Sequence, residues 1–323
     1  MPLAIVRLYW AWCHAAKIDG GFAWLQPDGS WGWSNAGMVV DGDQSLLVDT
    51  LFDKHLTAQM LSAMRAAAPA AAASVDMLVN THANGDHCNG NELVAEEARI
   101  IASQACLAEL ASENPKSMQI MKDRAPQMGE VGEFFMHCFS AFDFDNLKPA
   151  LPTETFSGEL EIAVGNKRVL LKEVGPAHTK GDVLVFVPED RLLFTGDILF
   201  IEGHPILWEG PVQNWIDACD FMLAADVENV VPGHGPITDK RGVRAVRDYL
   251  DYVRREARRR FDAGMSAEEA ARDISLTDYD SWGDAERIAV NVAVLYREFA
   301  DDPEPPRVAE LFALMARLHK ERR

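Results

Sequence analysis

Histidine, aspartate and asparagine are concentrated in one short segment, NTHANGDHCNGN at residues 80–91. Imidazole nitrogens and side-chain oxygens are the groups with which proteins bind zinc and similar metals. The segment follows a short apolar strand predicted at Val75–Val79, and its glycines favour an irregular loop over a helix. Side chains in such a loop can converge on one ion. The candidate ligands here are His82, Asn84, Asp86 and His87.

Three more polar residues stand in similar loops, each soon after a predicted strand. They are His178 in GPAHTKGD, Asp197 in TGD and His234 in VPGHGP. Strand ends on one side of a layered α/β fold are where separate loops gather into a site, so these residues extend the candidate set far enough for two metal ions. Asp49 and Asp182 are interpreted as supports that hold the loops by hydrogen bonds.

The remaining histidines and the cysteines lack this setting. His204, in EGHP, follows soon after the TGD turn and is a candidate for supporting the ligands or contacting substrate. The other histidines are interpreted as structural: His14, His55, His137 and His319. The five cysteines are odd in number and form no CxxC pair, which predicts buried free thiols and not a disulfide framework or a thiolate zinc cluster.

The composition excludes several classes of function. The chain has 323 residues, 48% hydrophobic and 25% charged, as is typical of a globular protein. Its 31 basic and 50 acidic residues give a net charge of −19, so a nucleic-acid partner is not expected. No apolar run reaches the roughly 18 to 20 residues that a membrane helix needs, and the N-terminus lacks a charged region followed by a cleavage site. We therefore expect a cytoplasmic protein without a membrane anchor.

The elements predicted to position these loops alternate between strands and helices. Strands near Met38–Val40 and Leu46–Val48 flank a turn and predict a hairpin. The segment Phe22–Trp33, which contains three tryptophans, predicts another hairpin around the turn at Pro27–Ser30. A helix is predicted at Lys54–Ala68, and later segments continue the alternation. This pattern favours a layered α/β architecture.

Two regions depart from the alternation. Residues 112–152 are rich in methionine and phenylalanine and predict a helical insertion, interpreted as filling a core or a dimer seam in preference to lining a substrate pocket. Later, Val243–Ala263 and Glu286–Phe299 have the amphipathic pattern of helices. We therefore predict a catalytic domain at residues 1–240 and a C-terminal helical extension at residues 241–323, with formation of a homodimer as its role.

The motifs together resemble those of the metallo-β-lactamase superfamily over roughly residues 35–240. The HxHxDH signature of that family corresponds to His82 through His87, its histidine in a third loop to His178, its bridging aspartate to Asp197 and its last histidine to His234. The resemblance implies an α/β fold of the αββα type, in which two packed sheets are flanked by helices. It also places the metal ligands at one edge of this sandwich.

The resemblance further implies how the ligands divide between two metal ions. His82, residue 84 and His178 would hold the first ion, Asp86, His87 and His234 the second, and Asp197 would bridge them. The sequence departs from the family at Asn84, where the family usually has histidine. An amide oxygen is a poorer donor to zinc than imidazole, so we expect the first ion to bind more weakly. The enzyme would then work with one tight zinc ion or with a loosely held second metal.

Zinc with an open coordination position lowers the pKa of bound water to about 7 and so provides hydroxide at neutral pH. We expect this hydroxide to attack a carbonyl carbon, with Asp86 as the catalytic residue that orients the water or shuttles its proton. The resemblance includes hydrolysis of thioesters, lactones, β-lactams and sulfate or phosphate esters, and does not choose among them. Tryptophans of the segment Phe22–Trp33, if they cover the site, favour a small ester, lactone, thioester or amide.

Two other functions remain as alternatives. The resemblance permits a non-haem iron oxidoreductase, although the chain has no room for an added flavin domain and Asn84 disturbs the ligands that such an iron would use. The second alternative is a homologue that binds metal without catalysis, although six of the seven expected ligands are present. Visible absorbance from iron would favour the oxidoreductase. An empty metal site would favour the homologue without catalysis.

Overall fold

A computed structural model describes residues 13–302, 304 and 307–322. Residues 1–12, which belong to the N-terminal segment in which no targeting signal is expected, lie outside this range. Within it, no helix is both long and apolar enough to cross a membrane.

The first of two β-sheets contains seven strands in chain order. They are β1 (His14–Ile18), β2 (Gly21–Leu25), β3 (Ala36–Asp41), β4 (Gln44–Val48), β5 (Met77–Val79), β6 (Arg99–Ser103) and β7 (Glu154–Phe156). Strands β1 to β4 pair antiparallel, and β4 to β7 pair parallel. The predicted hairpin at β3 and β4 is confirmed. A parallel neighbour requires a crossover, which helix α1 (Lys54–Ala67) provides between β4 and β5.

The second sheet contains five strands in the order β12-β11-β10-β9-β8. Their bounds are β8 (Glu159–Val164), β9 (Lys167–Glu173), β10 (Val183–Val187), β11 (Leu192–Phe194) and β12 (Asn229–Val231). Four of the strands pair antiparallel, while β12 lies parallel to β11. Helix α6 (Val212–Ala224) makes the crossover between these two.

The two sheets pack face to face around a shared apolar layer. Side chains alternate along each strand, so Leu46 and Val48 of β4 enter this layer while Leu47 faces the helices. Gly37 of β3 lies against Phe194 of β11, and a Cβ atom at Gly37 would come within 1.9 Å of that ring. The αββα sandwich expected from the sequence is confirmed.

Helices cover the outer faces and form the region after residue 240. The remaining ones are α2 (Gly85–Cys88), α3 (Gln104–Ser112), α4 (Ser117–Arg124), α5 (Gly129–Phe139), α7 (Lys240–Asp262), α8 (Ala267–Asp273), α9 (Ile288–Ala300) and α10 (Val308–Glu321). The predicted helices of the C-terminal extension are therefore present. Their buried residues, among them Tyr249 and Leu295, belong to the same apolar cluster as Trp24 of β2.

The phenylalanine-rich part of residues 112–152 fills this core. Phe134, Phe135 and Phe139 of α5 are buried, as are Phe142 and Phe144 in the chain that follows. Their rings contact one another and Phe52 in tilted and edge-to-face arrangements. The interpretation of this segment as core filling is confirmed.

The predicted tryptophan hairpin at Phe22–Trp33 is wrong. Strand β2 pairs with β1 and with β3, leaving no place for a partner strand from Trp31–Trp33. Those residues instead form a turn, in which the Trp33 N–H donates to the Ser30 carbonyl at 2.9 Å. Gly32, at φ +75°, takes a left-handed conformation that an extended strand does not allow.

Candidate metal centre

Four loops that begin at strand ends meet in this structure. Residues 80–91 follow β5 of the first sheet. The other three loops leave the second sheet, where residues 174–182 follow β9, residues 195–197 follow β11 and residues 232–236 follow β12. The site therefore lies where loops from both sheets come together, which is the placement expected of side chains carried by a rigid scaffold.

The first loop contains one turn of helix, α2 (Gly85–Cys88), so the prediction of an entirely non-helical loop is wrong. The His87 N–H donates to the Asn84 carbonyl at 2.9 Å and closes the turn. Asn84 itself precedes the helix in an extended conformation. Because the helix is only one turn long, His82 in the preceding chain still lies beside the side chains within it.

Asp197 lies at the centre of the site, with imidazoles on both sides of its carboxylate. Its Oδ2 atom is 3.3 Å from Nε2 of His178 and 3.7 Å from Nε2 of His82. Its Oδ1 atom is 3.0 Å from Nε2 of His87 and 3.5 Å from Nε2 of His234. A carboxylate with a different pair of imidazoles at each oxygen has the arrangement needed to bridge two metal ions.

Asp86 is the second acid of the site. Its Oδ2 atom lies 3.2 Å from Nε2 of His234 and 3.9 Å from Nε2 of His87. The Asp86 side chain is 12% exposed, whereas that of Asp197 is 3% exposed. Asp86 is therefore the acid more accessible to a water molecule or substrate that enters the site.

Unpaired buried atoms show that these residues fit a metal. Nε2 of His82, Nε2 of His87 and Oδ1 of Asp197 are buried. Although the last two atoms lie 3.0 Å apart, none of the three makes a hydrogen bond of acceptable geometry with a described residue. A buried polar atom without a partner is costly, and a bound cation would satisfy all three atoms. Imidazole and carboxylate donors are a set that zinc and iron both accept.

Two groups of three ligand atoms lie within 4.8 Å of one another. One consists of Asp86, His87 and His234, which is the set assigned to the second ion by the resemblance. The other joins His82 and Asp197 with His87, whereas the resemblance assigns His82, residue 84 and His178 to the first ion.

Asn84 faces His178 from the first loop. Its Nδ2 atom lies 3.3 Å from Nε2 of His178, and the residue is half-buried. Rotation of the amide about its last side-chain bond exchanges Nδ2 for Oδ1, and only the oxygen can bind a metal. The structure thus brings all seven candidate ligands of the sequence together, with one amide among imidazoles and carboxylates.

Three of the imidazoles are held from behind through Nδ1. Their partners are Oδ2 of Asp49 for His87 at 2.9 Å, the Ile206 carbonyl for His178 at 2.7 Å and the Gly29 carbonyl for His234 at 3.0 Å. A ring that donates from Nδ1 presents its unprotonated Nε2 atom to a metal. Sequence reasoning missed the two carbonyl partners because a main-chain oxygen has no residue signature.

Asp49 and Asp182 brace two of the ligand loops, which confirms their predicted supporting role. The Asp49 carboxylate accepts hydrogen bonds from the N–H and the hydroxyl of Thr81, both at 2.7 Å. The Asp182 carboxylate accepts from the N–H of Thr179 at 2.9 Å and from its hydroxyl at 2.8 Å. These bonds fix the chain beside His82 and beside His178.

Acids and imidazoles of the site shift each other's pKa values in opposite directions. Burial disfavours the charged form of His87, but Asp197 and Asp86 outweigh burial and raise its pKa well above the usual value. Burial also works against the charged form of Asp197, yet the imidazoles of His234 and His87 hold its pKa well below the usual range. For His82 burial prevails and the pKa is well below normal. A metal that binds here therefore displaces protons from the cationic imidazoles.

Packing behind His234 includes residues that sequence reasoning did not single out. The Phe200 ring stacks on the His234 imidazole, with centroids 5.0 Å apart and planes inclined by 8°. The buried guanidinium of Arg287 lies 5.0 Å from the centre of the Phe200 ring and 4.4 Å from that of Trp31. The C-terminal extension thus contributes to the packing around the metal centre.

His204 and Cys88 lie in surroundings different from those of the candidate ligands. The buried His204 ring packs edge-to-face against Tyr249 at 5.2 Å and Trp282 at 5.8 Å, so the structure places it among aromatic residues of the extension. The Cys88 thiol donates to the Asn84 carbonyl at 3.1 Å, and burial raises its pKa well above normal. The prediction of buried thiols is confirmed at four cysteines, while Cys13 is half-buried.

Residues 29–234 match the sequence model of the metallo-beta-lactamase superfamily. This stretch is more than half of the chain and contains every candidate ligand.

Two relatives match over most of their own length. The Beta-lactamase-like protein 2 homolog of Caenorhabditis elegans is 22% identical over 272 residues, which cover 83% of this chain and 79% of the relative. The acyl-coenzyme A thioesterase MBLAC2 of Gallus gallus is 24% identical over 237 residues, which cover 69% of this chain and 80% of the relative.

A solved structure shares the fold. The inverting sec-alkylsulfatase Pisa1 from Pseudomonas sp. superposes with a TM-score of 0.68 at 14% sequence identity, over 93% of this chain. The chain spans 52% of the length of that enzyme. The matched region is long enough to include helices of the C-terminal extension.

Proposed function

The chain belongs to the metallo-beta-lactamase superfamily, and we propose that it is a zinc-dependent hydrolase that cleaves acyl thioesters. The single observation that carries the hydrolase is the central Asp197 carboxylate with imidazoles at both oxygens. The choice of a thioester is supported by the chicken relative, which is named an acyl-coenzyme A thioesterase.

The proposed ligand sets combine the family resemblance with the geometry around the two acids. Asp86, His87 and His234 would hold one zinc ion, and His82 and His178 would hold the other with weaker help from Asn84. Asp197 lies between both sets. When bound at such a site, zinc supplies a nucleophile at neutral pH by acidifying water and polarises a carbonyl oxygen.

Asp86 would accept a proton from the attacking water. Burial disfavours its charged form, but the neighbouring His87 and His234 outweigh burial and lower its pKa, so the carboxylate is ionised at neutral pH. An ionised carboxylate accepts a hydrogen bond and a proton, which orients water for attack. Its greater exposure relative to Asp197 leaves it within reach of substrate.

A thioester makes the smallest demand on acids of the site. A thiol has a pKa of about 8.5, so the sulfur leaves as a thiolate and no side chain has to protonate it in the step that breaks the bond. An amide nitrogen must be protonated to leave. A thioester therefore requires only that Asp86 accept the proton of the water, whereas an amide requires that this proton also be delivered to the leaving nitrogen. Thioester cleavage thus makes the smaller demand on the site.

An aromatic cluster beside α2 includes one ring, that of Trp33, which an apolar acyl group could contact. Phe52 lies against Gly85, since a Cβ atom there would come within 3.1 Å of the ring. Trp33, half-buried, packs on Phe142 with ring centroids 4.7 Å apart, and Phe142 in turn packs on Phe52 at 4.9 Å. Phe52 and Phe142 are buried in the core, so the half-buried Trp33 is the member of this cluster that an apolar acyl group could contact.

The test is a thiol-release assay on metal-defined protein. Protein purified without chelator is analysed for zinc and iron, and is then assayed with acetyl-, octanoyl- and palmitoyl-coenzyme A before and after removal and return of zinc. We expect bound zinc and zinc-dependent thiol release, and the three acyl lengths show which chain the site accepts. Lactones, β-lactams and phosphodiesters serve as comparison substrates. Zinc-loaded protein that hydrolyses one of these but no thioester would contradict the substrate, and bound iron without hydrolysis would favour the oxidoreductase.

A further inference from the structure

The imidazole of His178 depends on one main-chain oxygen for its orientation. Its Nδ1 atom lies 2.7 Å from the carbonyl oxygen of Ile206, and both residues are buried. With Nδ1 occupied as a donor, Nε2 points towards Oδ2 of Asp197 at 3.3 Å. A displacement of the Ile206 carbonyl would therefore release the ring to rotate or to change tautomer.

The chain on both sides of Ile206 is held by one side chain of the C-terminal extension. Asn291, on α9, accepts a hydrogen bond from the Leu207 N–H at 2.7 Å through Oδ1. Its Nδ2 atom donates to the Pro205 carbonyl at 2.9 Å and contacts the Tyr249 hydroxyl at 3.3 Å. Asn291 thus clamps the residue before Ile206 and the residue after it.

The amide of Asn291 has a fixed orientation. Its oxygen faces an N–H donor and its nitrogen faces a carbonyl acceptor. If the amide turned by about 180°, donor would face donor at Leu207 and acceptor would face acceptor at Pro205. The residue is 2% exposed, and water cannot replace these bonds. Leucine and aspartate have similar size to asparagine, but neither can make both contacts.

A second residue of the extension extends the clamp. Arg287, just before α9, donates from Nη1 to the His204 carbonyl at 2.9 Å. The His204 N–H in turn donates to the Gly283 carbonyl at 2.9 Å. The stretch from His204 to Leu207 is therefore hydrogen-bonded to the extension at four points.

We propose that Asn291 is a positioning residue that sets the orientation and tautomer of His178 by clamping the Ile206 carbonyl. The C-terminal extension is then part of the metal centre, although it contributes no ligand. The inference rests on the proposed function only where His178 is taken to bind zinc. The orientation of the ring can be measured without metal.

The experiment compares Asn291→Leu and Asn291→Asp with a packing control on the same helix. Leu295→Ala removes buried apolar volume from α9 and leaves the clamp intact. Zinc affinity is measured on each full-length, metal-free protein by competition with a chromophoric chelator. The ring nitrogens are followed in metal-free, ¹⁵N-histidine-labelled protein, with the His178 signals assigned by their loss in His178→Gln.

We expect Asn291→Leu to weaken zinc binding at one site by about 10- to 100-fold, as is common when a group that orients a ligand is removed. In this variant the ¹⁵N chemical shifts of the His178 ring should move away from the values typical of a ring protonated at Nδ1. Leu295→Ala should keep both properties even if it is equally destabilised. If Asn291→Leu does not fold, Asn291→Asp decides, because it keeps the acceptor for Leu207 but loses the donor to Pro205.

The positioning role would be wrong if the Asn291 variants bound zinc as tightly as Leu295→Ala and their His178 chemical shifts were unchanged. Failure of the wild-type protein to bind zinc would instead contradict the proposed function. In that case the metal-free nitrogen signals still decide whether Asn291 orients the ring.

Discussion

The carboxylate of Asp49 lies 2.9 Å from Nδ1 of His87 and joins the end of β4 to the first metal loop. The same carboxylate accepts two hydrogen bonds from Thr81 in that loop, so both of its oxygens are in use. Asp49 is 2% exposed and has φ +62°, a left-handed conformation that aspartate tolerates better than most residues. One acid at a strand end therefore orients a candidate ligand and anchors its loop.

Asp49→Asn should weaken both metal binding and the fold. An asparagine nitrogen cannot accept, so either a Thr81 donor or the His87 donor is left without a partner in a buried place. We expect zinc affinity to fall about 10- to 100-fold and the free energy of unfolding to fall by about 1–3 kcal/mol. Chelator competition and urea unfolding measure the two effects. Asp43→Asn, which removes a charge from the exposed β3–β4 turn, is the control. Equal zinc affinity in both variants would contradict the role.

The sequence was sufficient to predict which side chains meet at the candidate site, because each follows a strand and has a chemically distinctive type. It was also sufficient for the β3–β4 hairpin, since Leu46 to Val48 are apolar in a run bounded by turn residues. The supports of His178 could not be predicted. Asn291 is 84 residues from Leu207 in the chain, and nothing local to either residue shows that they meet.

Two local predictions failed because propensity was outweighed by other contacts. The tryptophans at 31 and 33 suit a strand, but the Trp31 indole N–H donates to Glu286 of the extension at 3.0 Å and holds the chain in a turn. The glycine in the first metal loop suits irregular chain. Gly85 begins a helical turn instead, which is closed by main-chain hydrogen bonds from His87 to Asn84 and from Asn89 to Gly85.

Asp86→Asn should abolish turnover. The substitution keeps the size of the side chain but removes the proton acceptor, and such a loss costs about 100- to 10,000-fold in rate. Thiol release by zinc-loaded protein, with zinc content measured in parallel, tests this. Asp43→Asn, an equal change of charge in the exposed β3–β4 turn, should have wild-type activity. Activity of Asp86→Asn above about a tenth of wild type would contradict the catalytic role.

Asn84→His should tighten the weaker zinc ion. An imidazole at this position would place a better donor beside His178, whereas the wild-type amide is a poor one. Zinc per chain after dialysis at limiting free zinc should be closer to one in the wild-type protein and closer to two in the variant. Asn84→Ala adds no donor and should not gain the second ion. Tight binding of two ions in all three proteins would rule out Asn84 as the cause of a weak site.

Removal of metal should destabilise the protein without unfolding it. Burial works against a charge on His234, but Asp197 and Asp86 raise its pKa to about 9, so a protonated imidazole balances the acids when no metal is bound. Zinc at about 1,000 times its dissociation constant should then add about 4 kcal/mol to the free energy of unfolding. Circular dichroism of the chelated protein should show the native helix content. Asp197→Asn is the comparison, and it should gain much less from zinc.

The docking of the C-terminal extension should depend on the ionisation of Glu286. This residue is 4% exposed, accepts a hydrogen bond from the Trp31 indole at 3.0 Å and lies 3.5 Å from Nδ1 of His319 on α10. Burial disfavours its charge, but the contacts with His319 and Trp31 outweigh burial and lower its pKa. A carboxylate with a lowered pKa stabilises the fold above its unfolded pKa of about 4.3, and that contribution is lost as the pH falls through the folded pKa.

Glu286→Gln should therefore cost stability at neutral pH and little in acid. At pH 7 we expect a loss of about 1–3 kcal/mol in the free energy of unfolding, because a charged hydrogen-bond acceptor is replaced by a neutral amide. As the pH falls below about 4.3 the unfolded carboxylate becomes protonated first. Below the lowered pKa of the folded protein the native carboxyl is protonated as well and resembles glutamine, so the difference between the two proteins should shrink over this range. Urea unfolding in steps from pH 7 to acid measures this difference. Glu310→Gln, on the exposed face of α10, should differ little from wild type at any pH. A difference for Glu286→Gln that stays constant or grows as the pH falls would show that its carboxylate does not hold the extension in place.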